Sequence, residues 1–323
     1  WRDQGITTRE TVLALEAGKE YPIVLEYFAN VHPVDISFGW REDRLLFDEA
    51  VEIARKSDVA IVNIGFNESS ERESNDRPFE LPEYQDSLVQ CITAANPNTV
   101  VLLNAGGNVD MSKWIDKVPS LLHLWYAGQE GGTAVAEILF GKVNPSGKLP
   151  ISFEKKWEDN PVHDSYYENL KAEIKRVDYS EGVFVGYRGY DRSGKEPFYP
   201  FGYGLSYTTF DISKGRLNKK TISAGQDLNF KVNVKNTGTR EGQEVVQLYI
   251  SDKKSSLPRP VKELKGFKKV KLAPGEEKAV TLTIDKKALS FFDDVKHEWM
   301  TEPGKFEACL LYTSPSPRDR TRS

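Results

Sequence analysis

The stretch "DVAIVNIGFNESSERESNDRPFEL", residues 58–81, decides the fold of this chain. It opens with the apolar run "DVAIVNIGF", which is typical of a strand buried on both faces. It then releases four carboxyl groups within nine residues, on Glu68, Glu71, Glu73 and Asp76. Either this acidic segment is a solvated loop, or the strand presents a carboxyl group at a functional site.

Helices and strands alternate on both sides of this strand. Helical spacing of apolar residues indicates helices in "LFDEAVEIARKS", "PEYQDSLVQCITAAN" and "EGGTAVAEILFG", with a short one in "DMSKWIDK". Further strands are expected at 99–104 and 120–126. Such alternation predicts an α/β fold, a doubly wound and mostly parallel sheet (α/β sandwich), over residues 45–205. Its last part, 154–205, has little periodicity and is expected to be a long structured loop region.

All-β patterns flank this domain. Residues 1–44 contain a strand–turn–strand pattern and are expected to be a partial β-sandwich. Strict alternation from Leu228 to Val234 and a Pro-Gly turn predict a second β-sandwich over 206–308. Residues 309–323 change abruptly to Ser, Pro and Arg and are similar to a translated sequencing adapter, so we expect this tail to be non-native.

Composition excludes several classes of function. The formal net charge of −4 gives no support to nucleic-acid binding, and no apolar run approaches the roughly 18 residues of a membrane span. Two cysteines cannot build a disulfide framework or a metal cluster, and the four histidines do not pair at metal-ligand spacing. No Walker-type phosphate loop and no G-x-S-x-G elbow occur. We therefore expect no metal and no cofactor.

The carboxylates can do chemistry if the predicted strands are parallel neighbours. Ligands bind doubly wound sheets at the carboxyl ends of the strands, where the acidic loop, "NAGGNVD" and "AGQEGG" would meet. A partly desolvated glutamate there can donate a proton at neutral pH. Beside a second carboxylate, that is the chemistry of glycoside cleavage. By spacing alone each acid is more often merely solvated, so both interpretations stay open.

Three longer blocks carry a family resemblance. Residues 124–153 ("LWYAGQEGGTAVAEILFGKVNPSGKLPISF"), 178–191 ("DYSEGVFVGYRGYD") and 197–210 ("PFYPFGYGLSYTTF") resemble the signature of glycoside hydrolase family 3, in the branch of β-glucosidases. The resemblance implies an α/β sandwich domain followed by a fibronectin type III-like domain. "FANVHPVDISFGW" similarly resembles the end of a protective-antigen-type β-sandwich, an insert present in some of these enzymes.

The resemblance also implies site residues. In this branch the first acidic loop has the form E-x-E-G-x-D-R, and its second glutamate is the general acid/base. The chain reads "ERESNDR", which gives that role to Glu73, with Glu71 as the runner-up and Asp76 and Arg77 closing the motif. Ser74 replaces the usual glycine, and a serine fits there only with a negative φ or with strain.

The implied reaction is a retaining double displacement on an oligosaccharide or an aryl or alkyl β-glycoside. The family's aspartate nucleophile lies on a (β/α)8 barrel, and nothing in this chain matches it. We therefore expect a C-terminal part that carries half of an active site, is inactive alone and has the missing barrel of the same protein as its partner. Two alternatives are a non-catalytic carbohydrate-binding or adhesion protein built of β-sandwich modules, and a flavodoxin-like binding domain.

Overall fold

The computed structural model describes residues 13, 15–25, 38–39, 47–73, 77–166, 178–223 and 226–311. The chain forms two compact units, 1–49 and 50–323. In the first unit the predicted turn lies at residues 17–18, where Gly18 has a φ of +79°. The expected strands beside it fall mainly outside the described residues, so the β-sandwich remnant over 1–44 stays a prediction.

A parallel sheet forms the first half of the second unit. Its strands are β1 (Ala60–Gly65), β2 (Thr99–Asn104) and β3 (Ser120–His123), in that spatial order. Both neighbouring pairs are parallel, with Ala60 opposite Thr99 and Val100 opposite Ser120. The predicted α/β class is therefore confirmed.

The predicted helices are present as α1 (Asp48–Lys56), α2 (Gln85–Ala95) and α3 (Gly131–Leu139). A 3₁₀ helix at Ile115–Lys117 stands where "DMSKWIDK" predicted a short helix. α1 begins with acidic and ends with basic side chains, an order that opposes its dipole favourably. α2 packs against β1 and β2.

The first core lies between the sheet and α2. Val62 and Ile64 of β1 are buried, but Ile61 between them is 56% exposed. The prediction that β1 is buried on both faces is therefore wrong, because α2 packs on one face of the strand while the described residues leave Ile61 uncovered. The rest of this core includes Val89, Ile92, Val101, Leu103, Trp114 and Phe153.

The second half of the unit is an antiparallel β-sandwich, as predicted. Its strands are β4 (Phe210–Ile212), β5 (Arg216–Leu217), β6 (Leu228–Asn236), β7 (Gly242–Asp252), β8 (Glu263–Leu272), β9 (Glu277–Ile284), β10 (Phe291–Asp293), β11 (Glu298–Met300) and β12 (Phe306–Leu311), with a short helix α5 (Lys286–Leu289) before β10. One sheet has the order β12-β7-β8, and the other joins β4, β5 and β9 to β6.

The described end of the chain lies in this sandwich. β12 pairs with β7 and continues three residues past Ala308, the expected end of native sequence, to Leu311. Residues 312–323 lie outside the described residues, so the origin of the tail stays a prediction.

The loop region joins the two halves by packing. It contains the helix that we number α4 (Tyr187–Ser193). Tyr187 accepts a hydrogen bond from the Leu264 amide at 2.9 Å and stacks on Phe201 with ring centroids 4.9 Å apart. Tyr190 is buried, and Tyr203 lies against Tyr199. These aromatic residues therefore act as packing groups of the long loop rather than as an open sugar-stacking surface.

Candidate active site at the carboxyl edge of the parallel sheet

Three strand-end loops meet at one edge of the sheet, as the sequence predicted. Glu71, in the loop after β1, accepts a hydrogen bond from the Gly106 amide after β2, with 3.4 Å between nitrogen and oxygen. The same carboxylate oxygen accepts a hydrogen bond from the hydroxyl of Tyr126, in the loop after β3. The parallel register of β1, β2 and β3 produces this meeting, because all three strands end at the same side.

The loop after β1 starts from an anchored glycine. Gly65 has a φ of +143°, and a side chain there would overlap the backbone oxygen of Asn104. The side-chain amide of Gln85, in the first turn of α2, accepts a hydrogen bond from the Gly65 N–H at 2.7 Å. The same side chain donates to the Gly65 carbonyl at 2.9 Å. The end of β1 is thereby fixed to both a strand and a helix.

A local turn then folds the acidic segment. The Asn67 side chain accepts the Ser69 amide at 3.0 Å, and the Asn67 carbonyl accepts the Glu71 amide at 2.8 Å. Asn side chains stabilise turns in this way by hydrogen bonding to backbone two residues on. The turn thereby fixes the backbone position from which the Glu71 side chain extends.

Glu71 is held by three donors. Besides Gly106 and Tyr126, the Nε of Arg77 lies 3.3 Å from its carboxylate. The Glu71 side chain is only 24% exposed. Gly106 is required for this arrangement, because any Cβ at that position would overlap the Glu71 carboxylate.

Arg77 is itself fixed by the neighbouring loop. It donates to the Asn108 carbonyl at 2.7 Å and to the Pro78 carbonyl at 3.2 Å, and its guanidinium lies 4.7 Å from the centre of the Phe66 ring. Its side chain is 17% exposed. The planar guanidinium thus reaches the loop after β2 through Asn108 while its other donors hold Glu71 and Pro78 of its own loop.

Tyr126 is a site residue that the sequence reasoning missed. Burial of its hydroxyl and the hydrogen bond to Glu71 raise the pKa of Tyr126 to about 12, so the hydroxyl is a permanent donor near neutral pH. The residue as a whole is 55% exposed. Tyr126 is the last residue of the predicted third strand, 120–126, whereas β3 itself ends at His123, and this position at the predicted strand end was the signal that could have identified it.

His123, the last residue of β3, contacts the loop after β2. Its Nε2 lies 3.1 Å from the Gly107 carbonyl, and its Nδ1 lies 3.3 Å from the Trp125 amide. These partners fit a neutral ring that donates from Nε2 and accepts at Nδ1. Burial lowers the pKa of His123, and the charge of Arg77 lowers it further. A structural role, one of the two expected for the histidines, fits this environment.

Glu73 lies two residues beyond Glu71, and its side chain is exposed. Ser74 and Asp76, the other notable positions of the motif, lie outside the described residues. The structure therefore brings Glu71 and Arg77 together with Tyr126, while it leaves Glu73 in solvent on the same loop. The catalytic roles assigned to Glu73 and Glu71 from the sequence stay predictions.

The described residues contain no group of three or more His, Cys, Asp or Glu side chains that could hold a metal ion. Nor does any described helix combine the length and apolarity needed to cross a bilayer.

The fold is thus a parallel α/β domain with an acidic loop at a strand end, followed by an immunoglobulin-like β-sandwich. These two domains and the acidic loop define the class of protein. Residues 9–207 match the model of the glycosyl hydrolase family 3 C-terminal domain, and residues 244–311 match that of the fibronectin type III-like domain. The chain belongs to glycoside hydrolase family 3.

Named relatives agree with this family. "Thermostable beta-glucosidase B" of Acetivibrio thermocellus is 46% identical over 278 residues, 86% of this chain and 36% of the relative. The structure of a β-glucosidase from Kluyveromyces marxianus in complex with glucose superposes with a TM-score of 0.77 at 39% identity, covering 84% of this chain and 32% of that one. A family 3 β-glucosidase from Bifidobacterium adolescentis has the same TM-score at 38% identity, covering 84% and 39%. This chain thus spans only about a third of the length of these relatives.

Proposed function

We propose that this chain is the C-terminal part of a retaining β-glucosidase-like glycoside hydrolase and supplies its general acid/base, Glu73. The full-length protein would hydrolyse terminal β-D-glycosidic bonds of oligosaccharides or of aryl and alkyl glycosides. The observation that carries the proposal is the difference in contacts and exposure between two glutamates of the acidic loop. Glu71 is occupied by three donors, and Glu73 is exposed two residues further on.

This difference in contacts and exposure favours Glu73 over Glu71 as the general acid/base. A carboxylate that accepts several hydrogen bonds within the protein is held in one position by its donors. The Glu71 carboxylate is engaged in this way by Tyr126, Arg77 and the Gly106 amide. Among the described residues none is hydrogen-bonded to the Glu73 side chain, which is exposed and can meet a substrate brought from another domain.

The chemistry follows from these roles. In the first step Glu73 donates its proton to the glycosidic oxygen while a carboxylate nucleophile attacks the anomeric carbon, which gives a covalent glycosyl-enzyme and the free alcohol. In the second step the ionised Glu73 takes a proton from water, and the hydroxide formed displaces the nucleophile from the sugar. Glu73 is then protonated again, and the sugar leaves with its configuration retained.

The nucleophile belongs to the finer part of the proposal. It would lie on a (β/α)8 barrel elsewhere in the same protein, which would dock at the edge where the three loops meet. The relatives' greater length supports a further domain of this kind. This chain alone would then not hydrolyse glycosides at a useful rate. An adhesion protein made only of β-sandwich modules is not supported, because the parallel sheet with its acidic loop has no place in it.

The test uses the full-length protein, or this chain joined to the N-terminal part of the Acetivibrio thermocellus relative. Glu73→Gln should lower kcat/KM for β-glucosides with poor leaving groups by about 10²–10⁴-fold. The loss should be much smaller for a dinitrophenyl glucoside, whose departure needs no proton. Glu68→Gln, on the same exposed loop, is the matched control and should keep wild-type rates. Unchanged rates in Glu73→Gln would refute the proposal.

A further inference from the structure

We infer that Glu71 is a positioning residue for the loop that carries Glu73. The Tyr126 hydroxyl supports this role because it helps to hold the Glu71 carboxylate in place. The inference rests on the proposed function. It goes beyond it because neither residue touches the reacting atoms.

The joints flank Glu73 on both sides in the sequence. Glu71 is fixed to the loops after β2 and β3 by Gly106 and Tyr126. Arg77, on the far side of Glu73, is fixed to the loop after β2 through Asn108 and returns to Glu71 at 3.3 Å. Two described residues on either side of Glu73 are therefore in contact with each other and with the loop after β2.

Holding Glu71 and Arg77 in place has a direct kinetic consequence. An acid/base must stand within hydrogen-bond reach of the glycosidic oxygen, and displacing it by about 1 Å can cost about 10²-fold in rate. Glu71 and Arg77 lie on either side of Glu73 in the sequence, and both are held by the loop after β2. Holding these two residues limits how far Glu73 can move without placing any group in the path of the substrate.

Tyr126 is the partner of Glu71 that is most distant in the sequence. It belongs to the loop after β3 and reaches across to the loop after β1, 55 residues earlier in the sequence. Its hydroxyl remains a donor near neutral pH, whereas its ring is largely exposed. Removing the hydroxyl alone should therefore loosen Glu71 without creating a cavity in the core.

The experiment is a double-mutant cycle in the full-length enzyme or the chimera described above. Tyr126→Phe should lower kcat by about 10-fold for a poor-leaving-group glucoside, with KM within about twofold of wild type, because binding groups are untouched. In the Glu73→Gln background the same change should lower kcat by less than about twofold, since there is no acid left to position. Glu71→Gln should behave like Tyr126→Phe with a larger loss.

The outcomes separate the two proposals. A Tyr126→Phe loss of equal size in both backgrounds would show a role independent of Glu73 and overturn the inference, as would no loss in the wild-type background. Loss in Glu73→Gln with none in Tyr126→Phe would overturn the inference alone and leave the proposed function standing. No loss in Glu73→Gln would overturn both. If Glu71→Gln fails to fold, Tyr126→Phe still decides, because it removes a single oxygen from a residue that is 55% exposed.

Discussion

The Nε of Arg77 lies 3.3 Å from the carboxylate of Glu71, and both side chains are mostly buried. This ion pair differs from the surface pairs of the chain because Arg77 also donates to two backbone carbonyls, those of Asn108 and Pro78. Surface ion pairs contribute little to stability, but hydrogen bonds that involve a charged group with defined geometry contribute more. The pair is therefore expected to contribute to stability as well as to position.

Arg77→Lys should destabilise the chain by about 1–3 kcal/mol, because one ammonium group cannot replace the guanidinium at all three acceptors. Urea unfolding of the purified chain measures this. Arg55→Lys is the control, since Arg55 pairs with Glu52 on the exposed face of α1 and should change stability by at most about 0.5 kcal/mol. Equal effects of the two substitutions would mean that the Arg77 contacts contribute nothing beyond those of an ordinary surface pair.

Gly106→Ala should disturb the acidic loop with little effect on the core. Its new methyl group would overlap the Glu71 carboxylate and lie 3.4 Å from the Tyr126 ring. Hydrogen exchange of the amides of residues 67–73 should accelerate by about 10-fold, as expected when a local hydrogen-bonded unit opens more easily.

The matched control for Gly106 is Gly132→Ala in α3, where nothing lies within 4 Å of the added carbon. It should leave exchange in residues 67–73 unchanged and slightly favour the helix. Protection of 67–73 that survives Gly106→Ala intact would show that the loop does not depend on its contact with the Gly106 amide.

The stability of the chain should fall as the pH drops below about 6.5, in part because of His123. Burial lowers the pKa of His123 below its usual 6.5, so the folded state favours the neutral ring and the unfolded state takes up the proton first. The contribution is therefore present above about pH 6.5 and is lost as the pH falls towards the lower, folded-state value.

Unfolding free energies between pH 8 and pH 5 measure this effect of His123. His123→Gln should flatten the slope in that window, whereas His297→Asn, at an exposed position with a φ of +56°, should keep it. A wild-type slope in His123→Gln would assign the pH dependence to other groups.

Lys148 and Glu244 form a buried ion pair between the α/β half and the β-sandwich. Nitrogen and oxygen are 3.0 Å apart, and Lys148 also donates to the Gly204 carbonyl at 2.7 Å. Lys148→Met should destabilise the chain by about 3–5 kcal/mol, because Glu244 would be left charged and buried. The double variant Lys148→Met/Glu244→Gln should regain part of that loss in urea unfolding. A single variant as stable as the wild type would contradict the role of this pair in joining the two halves.

The sequence allowed the architecture around the site to be predicted with useful detail. The helical spacing in 46–57 and the apolar run from Asp58 were sufficient to predict α1 and β1. Parallel order then placed the acidic loop beside "NAGGNVD" and "AGQEGG". This worked because the carboxyl ends of parallel neighbours meet at one edge whatever their side chains are.

The partners of Glu71 were not predictable in the same way. Tyr126 and Gly106 lie 55 and 35 residues from Glu71, and their contacts depend on register and on loop conformation at the scale of single ångströms. The burial of β1 was misjudged for a related reason. Ile61 belongs to a continuous apolar run, but whether its face is covered depends on which elements pack there and not on the run itself.

The central claim concerns Glu73 and has a chemical test that no rate measurement replaces. In Glu73→Ala the glycosyl-enzyme formed from a dinitrophenyl glucoside lacks the base that activates water, so azide, which needs no base, should attack in its place. The measurement is product analysis of the full-length Glu73→Ala enzyme with azide present, beside Glu71→Ala. We predict β-glucosyl azide from Glu73→Ala only. Its formation by Glu71→Ala and not by Glu73→Ala would contradict the assignment.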